Sequence, residues 1–181
     1  MILNPESEVL ETLAKSILLA ARTAPKAKGV DDIITALVEK DDIEVLALTM
    51  ERLADEKGEG FYFLKRDATN LRNAGAAVLI GVKTSGAAGF DCRACGFKTC
   101  AEMLNRQKVE AEFKGPNCMF KYIDLGIAIG AAAAKAKDLC IDNRVMYTLG
   151  AAARISGLLD VDVVFGIPLS VTGKNIFFDR K

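Results

Sequence analysis

Residues 76–82, Ala76-Ala77-Val78-Leu79-Ile80-Gly81-Val82, form an unbroken apolar run. Gly75 precedes it and Lys83-Thr84-Ser85-Gly86 follows it. Strand length, turn residues at both ends and no polar alternation predict a central strand buried on both faces. Val161 to Phe165 reads as a second buried strand, closed by Gly166-Ile167-Pro168. Phe61-Tyr62-Phe63-Leu64 reads as a short strand or a packed loop, and Ile176-Phe177-Phe178 as a last short strand.

Helical patterns fill most of what surrounds these runs. Asn4-Pro5-Glu6 has the cap, first-turn proline and acidic residue of a helix start. Leu10, Leu13, Ala14, Ile17, Leu18 and Ala21 continue it at helical spacing, and Pro25 ends it near Ala24. A second helix is expected from Asp31 or Asp32 to about Lys40, and a third from about Asp42 to Lys57. Asp67 to Asn73 reads as a helical turn. Cys100 to Phe113 has helical composition, Ile123 to Leu139 is an Ala-rich helix, and Arg144 to Gly157 holds another. Helices with three or four well-separated strands imply a sandwich of helices on a small mixed sheet.

The chain has 181 residues, enough for one domain with a real core. Residues 1–181 are read as that domain, with 86–121 as an insertion rich in Gly, charge and cysteine. Lys plus Arg and Asp plus Glu are 24 each, and no basic stretch is interleaved with aromatics, which argues against a nucleic-acid partner. The acidic N-terminus has no signal-peptide pattern. The most apolar stretch, Ile123 to Ala134, is too short to span a bilayer. The expected location is the cytoplasm, with no membrane partner.

There is no histidine, which removes His-ligated zinc, Rieske-type ligation and histidine bases. Four of the five cysteines fall as Cys92-x2-Cys95-x4-Cys100-x17-Cys118. A cubane cluster needs four thiolates on one small object, three from a tight loop and one returning from elsewhere. Gly96 suits close backbone approach, and Gly115-Pro116-Asn117 is a turn before Cys118. A [4Fe–4S] cluster on Cys92, Cys95, Cys100 and Cys118 is the favoured reading. A Cys₄ zinc site usually takes two Cys-x2-Cys knuckles, of which only one is present. A set of purely structural thiols is the remaining alternative. Phe90, Phe97, Met103 and Met119 are candidates to shield a cluster or to form local core. Cys140, at the end of the Ala-rich helix, is expected to be a small buried thiol.

Cys92-Arg93-Ala94-Cys95-Gly96-Phe97-Lys98-Thr99-Cys100-Ala101-Glu102 resembles the four-cysteine domain of corrinoid iron–sulfur proteins and of electron-transport complex B subunits, which bind one [4Fe–4S] cluster. The whole chain resembles an uncharacterised family of small ferredoxin-domain-containing proteins. Leu13 to Gly29 resembles the first-helix region of nitroreductase-like flavoproteins, where an Ala-Pro segment leads into a loop lining FMN. Asp124-Leu125-Gly126 and Phe165-Gly166-Ile167-Pro168 are similar to the same family. That resemblance implies an α+β nitroreductase-like sandwich, a homodimer and FMN at its interface. The family's Arg-Ser-x-Arg phosphate grip is missing. Arg22, Lys26, Lys28 and Lys174 are the candidates to hold the phosphate instead.

The function these readings support is electron transfer through the cluster, to or from FMN, a redox partner protein or a small electron acceptor. A flavin-dependent oxidoreductase is within that reading. A non-catalytic binding module with a structural zinc, and an iron–sulfur sensor, are the competing readings. No hydrolytic constellation is present: Asp31-Asp32 and Asp41-Asp42 fit helix starts.

Overall fold

A computed structural model describes residues 2–3 and 5–178. The expected cap Asn4 lies outside the described residues. A 3₁₀ turn, Pro5–Val9, leads into α1, Leu10–Thr23. The order continues β1 (Ile33–Leu37), α2 (Lys40–Lys57), α3 (Phe63–Arg72), β2 (Ala76–Val82), α4 (Cys100–Leu104), β3 (Val109–Glu110), β4 (Lys114–Gly115), α5 (Met119–Asp138), β5 (Asp142–Asn143), α6 (Tyr147–Ile155) and β6 (Val163–Ser170).

The main sheet runs β1-β2-β6-β5, and each pairing is antiparallel rather than mixed. β2 is the central strand that its composition predicts, and its seven residues are buried. Alternation along it feeds two cores. Ala76, Val78, Ile80 and Val82 face the core made with α1 and α5. Ala77 and Leu79 face the core made with α2, α3 and α6. The fold is therefore a three-layer α+β sandwich. Helices on both faces explain why an antiparallel strand carries the continuous apolar run more usual in parallel sheets.

Residues 33–37 are a strand, not a second helix. Ile33, Ile34 and Thr35 are β-branched, and the edge of β2 offers a ladder that a helix here would leave unpaired. Asp31 and Asp32 consequently cap nothing helical. Phe61 and Phe63–Leu64 are helical, in a 3₁₀ turn and in α3. After α4 the chain forms the β3–β4 hairpin, so the helix expected to Phe113 stops at Leu104. β6 continues through Gly166-Ile167-Pro168 to Ser170, and Pro168 is tolerated because β5 covers only Leu169 and Ser170. Residues 176–178 are a turn; Phe177 is 2% exposed and completes the second core.

Cys140 is exposed, not buried. It ends α5 in the left-handed region with φ 58°. Its amide bonds to the Lys137 carbonyl and the Ile141 amide to the Ala136 carbonyl, a Schellman closure with cysteine where glycine is usual. Ile141 is the residue that goes inward. Among the described residues no helix is long and apolar enough to cross a membrane.

Candidate functional site

The segment after β2 leaves one end of the sheet and returns to it through the hairpin. The Lys114 amide donates to the Asp162 carbonyl at 2.8 Å, and the Asp162 amide to the Val82 carbonyl at 2.9 Å. Between these anchors lies the cysteine loop. Asp91, Arg93 and Gly96 take φ of 46°, 63° and 86°, which curls the backbone. The Gly96 amide donates to the Arg93 carbonyl at 2.9 Å. The Thr99 hydroxyl caps α4 by accepting the Glu102 amide at 3.1 Å, and the Glu102 carboxylate takes the Lys98 amide at 3.0 Å. This variant of the capping box makes Cys100 the first residue of α4. The Cys100 amide donates to Asp91 Oδ1 at 2.6 Å.

The fourth cysteine comes from the body of the fold. Cys118 is 5% exposed and precedes α5. Asn117 beside it is locked: its side-chain amide donates to the Lys114 carbonyl at 2.6 Å and to the Tyr122 hydroxyl at 3.0 Å. Cys118 clusters with Ala88 and Met103, and Cys95, Phe97 and Phe120 pack against them. Met103 and Phe97 thus stand where shielding was expected, and Phe120 joins them. Phe90 is 55% exposed, its ring edge-on to Phe120.

The structure packs Cys95 against the cluster that holds Cys118 and keeps the half-buried Cys100 and exposed Cys92 on the same loop. Among the described residues no three His, Cys, Asp or Glu side chains gather closely enough to hold a metal ion. No closed four-thiolate cage is therefore preformed. The donor set, four free thiols with three on one curled loop, fits a cubane in ligand type and number.

A polar network supports the floor of this region. Asp162 Oδ2 accepts the Thr84 amide at 2.8 Å, the Thr84 hydroxyl at 2.6 Å and the Lys108 ammonium at 2.8 Å. Burial pushes the Asp162 carboxyl up, but the Lys108 and Thr84 hydrogen bonds outweigh it and hold the group below its ordinary value. Lys121, 4% exposed, pairs with Asp32 at 2.9 Å. The Ser85 hydroxyl donates to Asp32 at 2.6 Å. Neither Lys121 nor Lys108 is signalled by sequence pattern, because a lone lysine reads as surface. Asp124 carried a signal in its resemblance. Its Oδ1 accepts the Ala27 amide at 2.8 Å, pinning the loop after α1 onto α5, while Oδ2 is buried with no partner among the described residues.

The four cations expected to hold a phosphate do not converge. Arg22 donates to Asp31 at 2.8 Å, to the Ile33 carbonyl at 2.5 Å and to Thr35 at 3.2 Å. Lys26 donates to the Arg22 and Ala24 carbonyls at 2.5 and 2.9 Å, covering the C-terminus of α1. Both are committed to structure. Lys174 follows β6 at the Ala76 end of the sheet, while Lys28 lies beyond its Ile33 end. Along the strands these ends are about 20 Å apart. Lys28 alone approaches the cysteine segment, donating to the Ala88 carbonyl at 3.2 Å, 5.5 Å from the Phe90 ring centre.

The sandwich is the nitroreductase fold. It matches nitroreductase A from Vibrio parahaemolyticus (TM-score 0.56, 14% identity, 91% of this chain and 59% of the other). It also matches the NADPH:FMN oxidoreductase from Vibrio harveyi complexed with NAD+ (0.55, 13%, 91% and 61%). A nitroreductase family protein from Clostridium novyi NT matches over 97% of this chain and 80% of its own (0.54, 14%). The chain spans about three-fifths of the length of the first two. These identities establish the fold alone.

The family model described as "Uncharacterized protein containing a ferredoxin domain (DUF2148)" matches residues 114–180. An uncharacterized protein of Archaeoglobus fulgidus is 42% identical over 183 residues, covering 99% of this chain and 98% of that one. The chain belongs to this ferredoxin-domain family. The family's description names a ferredoxin domain and no activity.

Proposed function

We propose that the chain is an iron–sulfur redox protein with one [4Fe–4S] cluster on Cys92, Cys95, Cys100 and Cys118. The observation that carries this reading is the curled loop of three free thiols, one of which packs against the buried cluster that holds the fourth. A cluster held there supplies one-electron exchange. The chain's part is environmental. Met103, Ala88, Phe97 and Phe120 exclude water beside Cys118, and burial of that kind tunes a cluster's potential. Asp91 holds the loop shut through the Cys100 amide. The electron partner is a protein or a small acceptor, in a reducing cytoplasmic setting. FMN is the second redox group to test, given the fold's relatives. The cations expected to hold its phosphate form no common grip within one chain, so no step is routed through it.

The test is anaerobic purification with iron, sulfide, zinc and flavin measured on one sample. About four irons and four sulfides per chain are expected. Cys92→Ser and Cys118→Ser should lose most of the iron, and Cys140→Ser should keep it. One zinc without sulfide, or equal iron loss from Cys140→Ser, would overturn the reading.

We also propose a homodimer through α5. Ile123 and Ile127 are 44% and 40% exposed on its outer face. Among the described residues nothing lies within 4 Å of a Cβ placed on Gly126 or Gly130, so that face is open to close helix packing. Sedimentation should show a dimer that Ile127→Glu dissociates; a monomeric parent chain would sink the proposal.

A further inference from the structure

Between the loop after α1 and the segment leaving β2 lies a cavity of about 140 Å³. Lys28, Lys121 and the stretch Ser85–Ala88 line it, and none of its lining residues is a carboxylate. We infer that this cavity is a binding site for a small oxyanion, held by Lys28, Lys121 and the backbone amides of Gly86 and Ala87.

Three observations carry the assignment. The first is unbalanced charge. Lys121 is offset by Asp32, whose oxygens are also taken by Ser85. Lys28 has no carboxylate partner among the described residues; it donates to the Ala88 carbonyl and stands 5.5 Å from the Phe90 ring centre. One uncompensated positive charge remains at the cavity.

The second is unspent donors. Gly86 and Ala87 are half-buried, and their amides have no hydrogen-bond partner among the described residues. Backbone donors turned away from water are ordinarily paired, and an anion in the cavity would give these two amides an acceptor in place of solvent. The third is enclosure. Lys121 and Asp32 are 4% and 7% exposed, so this neutral pair gives the cavity a dehydrated polar wall, and the net charge there is that of Lys28.

The site stands without any metal. It goes beyond the cluster reading, because neither Lys121 nor Ser85–Ala88 belongs to the thiolate set. Its position sets it beside the thiolate set: Ala88, which lines the cavity, belongs to the same buried cluster as Cys118. A bound oxyanion is separated from the thiolate site by one thickness of chain. Two sources share the required chemistry: a free inorganic oxyanion, and the phosphate group of a larger ligand such as FMN.

The experiment is titration calorimetry of the purified chain with inorganic phosphate, FMN and riboflavin, with iron measured on each sample. Phosphate should bind, and Lys28→Gly should weaken it at least tenfold. Lys28 has φ 58°, which glycine adopts freely, so that variant should fold as well as the parent. Ala87→Asp, which adds a negative charge to the wall, should weaken phosphate at least as much. FMN competing with phosphate while riboflavin does not bind assigns the site to a phosphate group. Phosphate binding with no competition from FMN assigns it to a free oxyanion. Absence of phosphate binding, or equal binding by Lys28→Gly, overturns the inference. An anaerobically purified sample that holds no iron and still binds phosphate would count against the cluster reading and leave this one standing.

Discussion

The amide of Cys100 donates to the Asp91 carboxylate at 2.6 Å, so a residue outside the four-cysteine set closes the loop that bears three of them. A hydrogen bond of this kind contributes about 1 kcal/mol net. Asp91→Ala should therefore release iron about fivefold faster in a chelator challenge. Asp91→Asn can still accept the amide and tolerates a positive φ, so it should fall between the two. Equal release rates in all three proteins would show that the contact does not hold the loop.

Cys140 closes α5 with φ 58°, at the position where a Schellman motif favours glycine. Cys140→Gly should stabilise the protein by about 1 kcal/mol in urea unfolding. Iron content should not change, because Cys140 lies beside Ile141 and Asp142 at the far end of α5 from Cys118. A loss of iron in this variant would place the thiol among the ligands.

Gly150 on α6 rests directly on β6. A Cβ there would lie 1.9 Å from the Val164 carbonyl oxygen and 2.8 Å from the Phe165 Cα. Across the contact, a Cβ on Gly166 would lie 2.3 Å from Leu149 Cγ. The obstacles to a Cβ on Gly150 are backbone atoms of β6, so the helix must lift. Gly150→Ala should cost about 3 kcal/mol, at the upper end of overpacking effects. The urea midpoint should fall with little change in slope. A change under about 1 kcal/mol would mean that α6 shifts freely.

Asp162 titrates below its ordinary value of 3.8, because Lys108 and Thr84 together outweigh the effect of burial. A carboxylate depressed by folding contributes stability above its unfolded value, and that contribution is lost as pH falls through the folded one. Unfolding free energy should accordingly hold steady above about pH 5 and decline below about pH 4. Asp162→Asn should flatten this decline and lower stability at neutral pH. An identical pH dependence in parent and variant would remove Asp162 from the acid response.

Much of the fold was legible because it rests on local patterns. The apolar run 76–82 defined the central strand to the residue, and the spacing from Leu10 to Ala21 marked α1. The Ala-rich stretch marked α5, although its start four residues earlier, at Met119, was not visible. Residues 33–37 were misread because Asp31-Asp32 looks like a cap, and pairing with β2 overrides local preference.

The donor types of the candidate cluster, four cysteines without histidine, were likewise plain in the chain. Their arrangement was not. Cys118 is buried by Met103 and Ala88, while Cys92 stays exposed, a difference that spacing does not encode. The same holds for charge. Arg22 and Lys26 read like phosphate ligands until their carbonyl and carboxylate partners are seen. Lys121 carries no signal in the sequence; α5 brings it inside against Asp32. Period and composition report the face a residue prefers, because burial of apolar surface is additive along an element. Which polar groups remain unspent depends on partners distant in sequence, and only packing of the layers brings those together.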